Sequence, residues 1–255
     1  MRSPLASVHP EALIAENVTI EPFATIGRDV TIGEGTWIGP NAVIMNGARI
    51  GNHCRIFPGA VISAIPQDLK YRGEETFVEI GDHTTIRECV TINKGTSAVG
   101  KTVVGHHCLI MAYTHIAHDC LVGNHVILVN STGLAGEIVV DDFAYVGGMV
   151  GVHQFVRIGA HTMLQGGSMV GKDIPPFITA GRDPLRYEGL NVVGLRRRGF
   201  NEETIGSIHA IYRYLYQKGM NVSQALEAIR NELPDSPERS QILDFVEGSK
   251  RGIVR

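Results

Sequence analysis

The chain has 255 residues, with 23 Lys and Arg against 26 Asp and Glu and a formal net charge of −3, a balance that argues against a general nucleic-acid or membrane-surface footprint. No apolar run approaches the ~20 residues of a membrane span, and Met1-Arg2-Ser3-Pro4 carries no signal-peptide core. Thirty glycines and 6% aromatic residues fit a narrow core filled by Ile, Val and Ala.

From the N-terminus, an aliphatic residue recurs at every sixth position: Ile14, Ile20, Ile26, Ile32, Ile38, Ile44, Ile50, Ile56 and Ile62. The phase resumes at Ile80, Ile86 and Ile92, and then runs unbroken from Val104 to Val170. The fifth position of each hexad is mostly small, as at Ala24, Ala42, Ala48, Cys54, Ala60, Cys108, Cys120, Ala144 and Ser168. Neither an amphipathic helix nor a simple hairpin array has this period. A solenoid of very short strands does, each strand ending in a sharp turn and each hexad pointing one large and one small apolar residue inward. Gly, Asn and Asp are expected at the turns because they tolerate positive φ. Three hexads make one triangular coil, so residues 18 apart stack at the ~4.8 Å spacing of adjacent strands. The cysteines at inward positions are expected as packed free thiols in a reducing cytoplasm.

Two stretches leave the repeat. Residues 63–79 are polar and charged and contain Gln67-Asp68-Leu69-Lys70-Tyr71, and residues 97–102 form a shorter loop. Loops ejected from a rigid scaffold often carry function. The repeat ends near Lys172-Asp173-Ile174-Pro175-Pro176, and a Gly- and Arg-bearing connector covers 183–199. Asn201 is then a helix cap with Glu202 and Glu203 in the first turn, followed by a helical stripe of Ile205, Ile208, Ile211, Tyr212 and Leu215. Val222 to Leu233 and Pro237 to Val246 read as two more helices, the second capped by Ser236. The expected organisation is a parallel β-helix over 1–185 and a connector with a C-terminal α-helical domain over 186–255. The flat parallel faces of such a prism need covering, which predicts side-by-side packing of three copies in a homotrimer.

The 18-residue step assembles one chemical cluster. His118 stacks on Gly136 and then Gln154, Ala117 on Ala135 and then His153, and Asp119 on Glu137, with His115 close by. Histidine suits general-base work near neutral pH. An adjacent carboxylate fixes its tautomer and stabilises the imidazolium. Gly136 offers an unshielded backbone N–H to an oxyanion formed from a thioester carbonyl. Asn130, Gly148 and Gly166 form a second column; its glycines read equally well as turn residues or as the floor of a channel for an extended alkyl chain.

With these features, the chain resembles the family of acyl-carrier-protein-dependent UDP-N-acetylglucosamine O-acyltransferases, which catalyse the first step of lipid A biosynthesis. The likeness covers essentially the whole chain. It is carried by Gln67-Asp68-Leu69-Lys70-Tyr71, His115-Ile116-Ala117-His118-Asp119-Cys120, Val140-Asp141-Asp142-Phe143-Ala144, Gly148-Met149, Val152-His153-Gln154-Phe155, Asp173-Ile174-Pro175-Pro176 and Gly194-Leu195-Arg196-Arg197-Arg198-Gly199-Phe200.

The resemblance implies a left-handed parallel β-helix, an exception to the right-handed crossover rule. By position it implies His118 as general base toward the sugar 3-hydroxyl, Asp119 as its support and Gly136 as oxyanion donor. Asp68, Lys70 and His115 match positions around the sugar and acyl group. His153, Gln154, Asn191 and Arg197 match positions around the acyl and nucleotide ends, with Asn191 and Arg197 reaching from a neighbouring subunit and Arg198 joining the phosphate region. Gly166 matches the position that limits acyl length, and glycine there implies long chains of about fourteen carbons or more, each methylene contributing ~0.8 kcal/mol.

The implied substrates are an acyl carrier protein bearing a (R)-3-hydroxyacyl thioester and UDP-N-acetylglucosamine, with no cofactor or metal, in the cytoplasm. Glu137 and Val193 depart from the family pattern, which often has histidine and glutamate there. An acidic carrier is expected to dock on basic charge from Arg186, Arg196, Arg197, Arg198, Lys218, Lys250, Arg251 and Arg255.

Three other readings fit the sequence less well. A related N-acyltransferase acting on a UDP-amino-sugar usually has an extra N-terminal domain, whereas the hexads here begin by about Val8. A zinc carbonic anhydrase of the same superfamily needs a His-x4-His pair, which the sequence lacks. A structural or ice-binding solenoid predicts regular threonine arrays and no His–Asp cluster.

Overall fold

The computed structural model describes residues 1–255. Two- to five-residue strands wind into a triangular prism with three faces, parallel throughout except for the last pair of face 3. Face 1 has nine strands, from Ser7–Val8 to Met169–Val170, and face 2 has eight, from Leu13–Ile14 to Arg157–Ile158. Face 3 has ten, from Thr19–Ile20 to Arg186–Leu190. On face 1 His115 pairs with Gly133, Gly133 with Gly151 and Gly151 with Met169, the 18-residue step that the repeat predicts.

Each two-residue strand has one inward aliphatic residue, so the core is a column of Ile, Val and Leu. Ile38, Ile44, Ile56, Ile62, Ile86, Ile92, Ile110 and Ile116 are fully buried. Ala24, Ala42, Ala60 and the three inward cysteines fill the narrow apices. The thiols of Cys54, Cys108 and Cys120 donate to the carbonyls of Gly81, Gly123 and Ala135. Burial pushes the Cys108 thiol up to about 11 and the Cys120 thiol to about 12, so both stay protonated and unreactive.

The two insertions leave the phase intact. Register partners step from Val61 to Thr91, thirty residues, and from Thr91 to His115, twenty-four. Both are multiples of six, so the aliphatic residues fall on the same side before and after each loop. The flanking strands reach further into the expected loops than their polar composition indicated, over Val61–Ala64, Phe77–Ile80 and Lys101–Val104.

The corner between faces 2 and 3 departs from the expected turn chemistry. His53, His83, His107, His125, Phe143, His161 and Phe177 occupy its left-handed positions, with φ from 52° to 67°. Such bulky residues are costly there in isolation. Here their rings stack coil upon coil, with successive centroids 4.7 to 5.6 Å apart, which offsets the backbone strain.

Beyond the last coil, Ile178–Gly181 extends face 3 and pairs antiparallel with Arg186–Leu190. The expected boundary at 185/186 falls in the turn of this hairpin. Helix α1 (Val192–Arg197) follows, unanticipated because its six residues are too few to show a helical period. Helices α2 (Glu202–Tyr216), α3 (Val222–Glu232) and α4 (Pro237–Glu247) lie within a residue or two of their expected spans. Asn201, Asn221 and Ser236 each accept a backbone N–H at the helix start. The buried stripe of α2 docks on the prism, where the Tyr212 hydroxyl donates to the Pro176 carbonyl at 2.5 Å. Ser249 donates to the Asp173 carboxylate at 2.7 Å, tying the C-terminus to the last coil.

Candidate active site

The cluster forms at the corner between faces 1 and 2. Ile116 and Cys120 anchor the turn Ala117-His118-Asp119-Cys120 by pointing into the core. Asp119 takes φ 60°, and its carboxylate turns back to the Nδ1 edge of the His118 ring. Its Oδ2 lies 2.8 Å from His118 Nδ1. The same oxygen accepts from the Thr96 hydroxyl at 2.6 Å, and Oδ1 accepts from the Thr96 backbone N–H at 2.9 Å. The Asp119 backbone N–H donates to Thr102 Oγ1 at 2.8 Å. No part of the Asp119 side chain reaches solvent, so its charge is held by hydrogen bonds alone.

The long loop closes one side of this corner. Asn93, buried beneath it, donates from Nδ2 to the Ile65 carbonyl at 3.1 Å. Pro66 is buried, and Tyr71 donates to the Glu74 carbonyl at 3.0 Å. Held in this way, the loop brings Asp68 Oδ2 to 4.0 Å from His118 Nε2. Asp68 Oδ1 also accepts the Lys70 backbone N–H at 2.9 Å, and the Lys70 side chain is exposed. His118 therefore lies between two carboxylates, one buried behind Nδ1 and one across the cleft from Nε2.

The next coil completes the pocket. A Cβ built on Gly136 would stand 2.5 Å from both Cε1 and Nε2 of His118, so the His118 ring rests directly on this glycine. No acceptor in the chain takes the Gly136 N–H. Glu137 accepts from Gln154 Nε2 at 3.2 Å, which gives this departure from the family pattern a local partner. His153 is exposed and its Nδ1 lies 3.0 Å from the Gln154 carbonyl. His115 Nδ1 lies 2.7 Å from Thr91 Oγ1, and burial holds its imidazole below the ordinary value. Beside them a largely apolar trough of about 650 Å³ crosses face 1, with Gly133 and Gly151 on its floor and His115, His153 and Met169 around it.

The remaining predicted site residues lie elsewhere in the chain. Asn191 caps α1 and donates from Nδ2 to the His161 carbonyl at 2.9 Å, at the corner between faces 2 and 3. Arg197 is exposed on α1 and has no ion-pair partner in the chain. Arg198 turns inward, donates to the carbonyls of Gly194 and Phe143 and packs over the Phe143 ring. Gly166 lies at the third corner, where a Cβ would stand 3.0 Å from the Gly148 carbonyl oxygen. Val193 is exposed.

Among the basic residues expected to dock a carrier, Arg196 pairs with Glu202 and Lys218 lies 3.9 Å from Glu232. Arg251 donates to the Gly171 carbonyl. The sequence reading missed Thr96 and Thr102. Both fall on the small inward phase shared by Ala24, Cys108 and Cys120, a signal that could have marked Thr102, one coil below Cys120; Thr96 meets the Asp119 carboxylate only by the path of the short loop.

The prism of hexapeptide coils and its corner His–carboxylate pair define a hexapeptide-repeat acyltransferase. Residues 29–64 and 101–136 match the bacterial transferase hexapeptide (six repeats) family, and residues 173–254 match domain 2 of UDP N-acetylglucosamine O-acyltransferase. An acyl-[acyl-carrier-protein]–UDP-N-acetylglucosamine O-acyltransferase from Chlorobaculum tepidum is 55% identical over 188 residues, 73% of this chain and 71% of that one. One from Burkholderia orbicola is 45% identical over 202 residues, 77% of each chain.

Among solved structures, a UDP-N-acetylglucosamine acyltransferase from Bacteroides fragilis superposes over the whole of both chains with TM-score 0.98 and 55% identity. The Arabidopsis UDP-N-acetylglucosamine acyltransferase does so with TM-score 0.82 and 32% identity. The chain belongs to the acyl-[acyl-carrier-protein]–UDP-N-acetylglucosamine O-acyltransferase family, and its solenoid is the left-handed parallel β-helix of that family.

Proposed function

We propose that the chain transfers a (R)-3-hydroxyacyl group from acyl carrier protein to the 3-hydroxyl of UDP-N-acetylglucosamine, with His118 as general base. Acyl transfer between these two substrates, in lipid A biosynthesis, is the family's activity. The observation that carries the base assignment is the buried His118–Asp119 pair, with Nδ1 turned to the carboxylate and Nε2 to the cleft.

In this reading Nε2 takes the proton of the sugar hydroxyl as its oxygen bonds to the thioester carbonyl carbon. Asp119 stabilises the resulting imidazolium. Negative charge gathers on the former carbonyl oxygen, where the Gly136 N–H donates to it. The C–S bond then breaks, and His118 returns its proton to the departing carrier thiolate.

The trough across face 1 takes the acyl chain. Asp68, Lys70 and His115 surround the sugar and acyl head, and His153 and Gln154 line the adjoining edge. Asn191, Arg197 and, more distantly, Arg198 serve the nucleotide. They lie at a different corner from His118, so a neighbouring copy supplies them in a homotrimer. No helix is long and apolar enough to cross a membrane, and the inward free thiols favour a cytoplasmic setting.

His118→Ala tests the assignment. Acyl transfer should fall by roughly 10²–10⁴, with the sedimentation behaviour of the protein unchanged. Near-normal turnover at saturating substrates removes His118 from the mechanism.

A further inference from the structure

We propose that Thr96 is a positioning residue, and that the short loop between the Thr91–Asn93 and Lys101–Val104 strands fixes the tautomer of His118. This deepens the general-base reading and rests on it. The hydrogen-bond pattern around Asp119 determines where each proton sits. The Thr96 backbone N–H can only donate, so Asp119 Oδ1 accepts. The Thr96 hydroxyl oxygen already accepts the Ala98 N–H at 3.2 Å, which leaves its own proton for Asp119 Oδ2. The 2.6 Å separation there is the length of a hydroxyl donating to an ionised carboxylate. Asp119 is thus an acceptor at both oxygens, and its 2.8 Å contact with His118 Nδ1 requires the proton on Nδ1. Nε2 is then the unprotonated nitrogen, and it faces the cleft.

The loop holds this arrangement stiffly. The Thr96 carbonyl accepts the Gly100 N–H at 2.7 Å. Gly95 packs against the backbone of Gly100 and Lys101 with no room for a side chain. Thr102, just past the loop, holds the Asp119 backbone N–H. Thr96 itself is 7% exposed, so water does not replace its hydroxyl. The six-residue insertion therefore carries a donor from the coil below to the carboxylate behind the histidine, which an unbroken hexad could not supply.

The test compares Thr96→Val, which keeps the shape and removes the hydroxyl, with Thr96→Ser, which restores it. With acyl-carrier thioester and UDP-N-acetylglucosamine, the valine variant should lose roughly 10- to 100-fold in kcat, part of the ~10²–10⁴ that a positioned base contributes. Its KM for the sugar nucleotide should stay within about twofold, since uniform binding is untouched. The serine variant should recover most of kcat.

Independently, ¹⁵N spectra of histidine-labelled protein at alkaline pH should show His118, assigned by its loss in His118→Ala, as a single Nδ1–H tautomer in the unmodified chain. In Thr96→Val the spectra should show a mixture. Unchanged ¹⁵N shifts in a folded valine variant overturn the proposal, as does a serine variant as slow as valine. The spectroscopic result does not depend on the role of His118. An active His118→Ala enzyme combined with a shifted tautomer in Thr96→Val would reject the base and keep the positioning.

Discussion

At Gly136 the requirement for glycine is steric as well as chemical. The residue has no left-handed φ, so conformational freedom does not explain it. The His118 ring occupies the space that a side chain would need, with Cε1 and Nε2 each 2.5 Å from the Cβ position. Alanine there must push the imidazole away from both Asp119 and the cleft. A misplacement of about 1 Å at a reacting group costs about 10²-fold. Gly136→Ala is therefore expected to lower kcat by that order while the melting temperature stays near that of the unmodified chain. Full activity in the alanine variant, measured by steady-state acyl transfer, would show that the ring finds another productive position. The same contact explains why arithmetic on the repeat found the pair: residues 18 apart on a prism corner touch.

Among the elements, the ring stack between faces 2 and 3 makes a pH-dependent contribution. His161 lies between Phe143 and Phe177, with Phe200 edge-on, and its Nδ1 has no hydrogen-bond partner. Burial, aided by the positive charge of Arg198 and opposed by Asp142, lowers its pKa from 6.5 to about 4. The unfolded chain binds a proton between these values and the folded chain does not. The stabilisation is accordingly complete above about 6.5 and is lost as the pH falls toward about 4. His161→Phe continues the phenylalanine stack and removes the titrating group. Its melting temperature should drop less than that of the unmodified chain between pH 7.5 and 4.5. Parallel curves for the two proteins would assign the acid sensitivity to other groups. The polar composition of these corners indicated only turns; stacking permits bulky residues at positive φ, and stacking depends on the coils being assembled.

Across the whole molecule, the predicted site residues fall on separate corners. Asp68, His118, Asp119, Gly136 and Gln154 gather between faces 1 and 2, whereas Asn191 and Arg198 are tied to residues of the corner between faces 2 and 3. One chain does not bring the two sets together, which is the physical argument for sites shared between copies. Coexpressed His118→Ala and Arg197→Ala chains should form mixed trimers that recover part of the activity, since some clefts then hold both intact residues. Homotrimers of either variant should stay impaired. Sedimentation showing fully active monomers at assay concentration would end this account.

The sequence by itself determined the features that obey its period. A fixed step of three hexads turns position in the chain into position in space, so the inward isoleucines, the corner cysteines and the stack of His118 on Gly136 could all be counted out in advance. The caps and apolar stripe of α2 were legible for a similar reason, because helical neighbours are also set by a short period. Tertiary structure decided whatever leaves the repeat. The long loop's return to place Asp68 4.0 Å from His118 follows from its own anchoring contacts, and no spacing encodes it. Thr96 reaches Asp119 by the path of the short loop, and Arg198 turns into its own chain while Arg197 stays exposed. Short-range periodicity fixes neighbours one coil apart; contacts made by insertions and by the C-terminal elements exist only once the assembled prism gives them a surface to fold against.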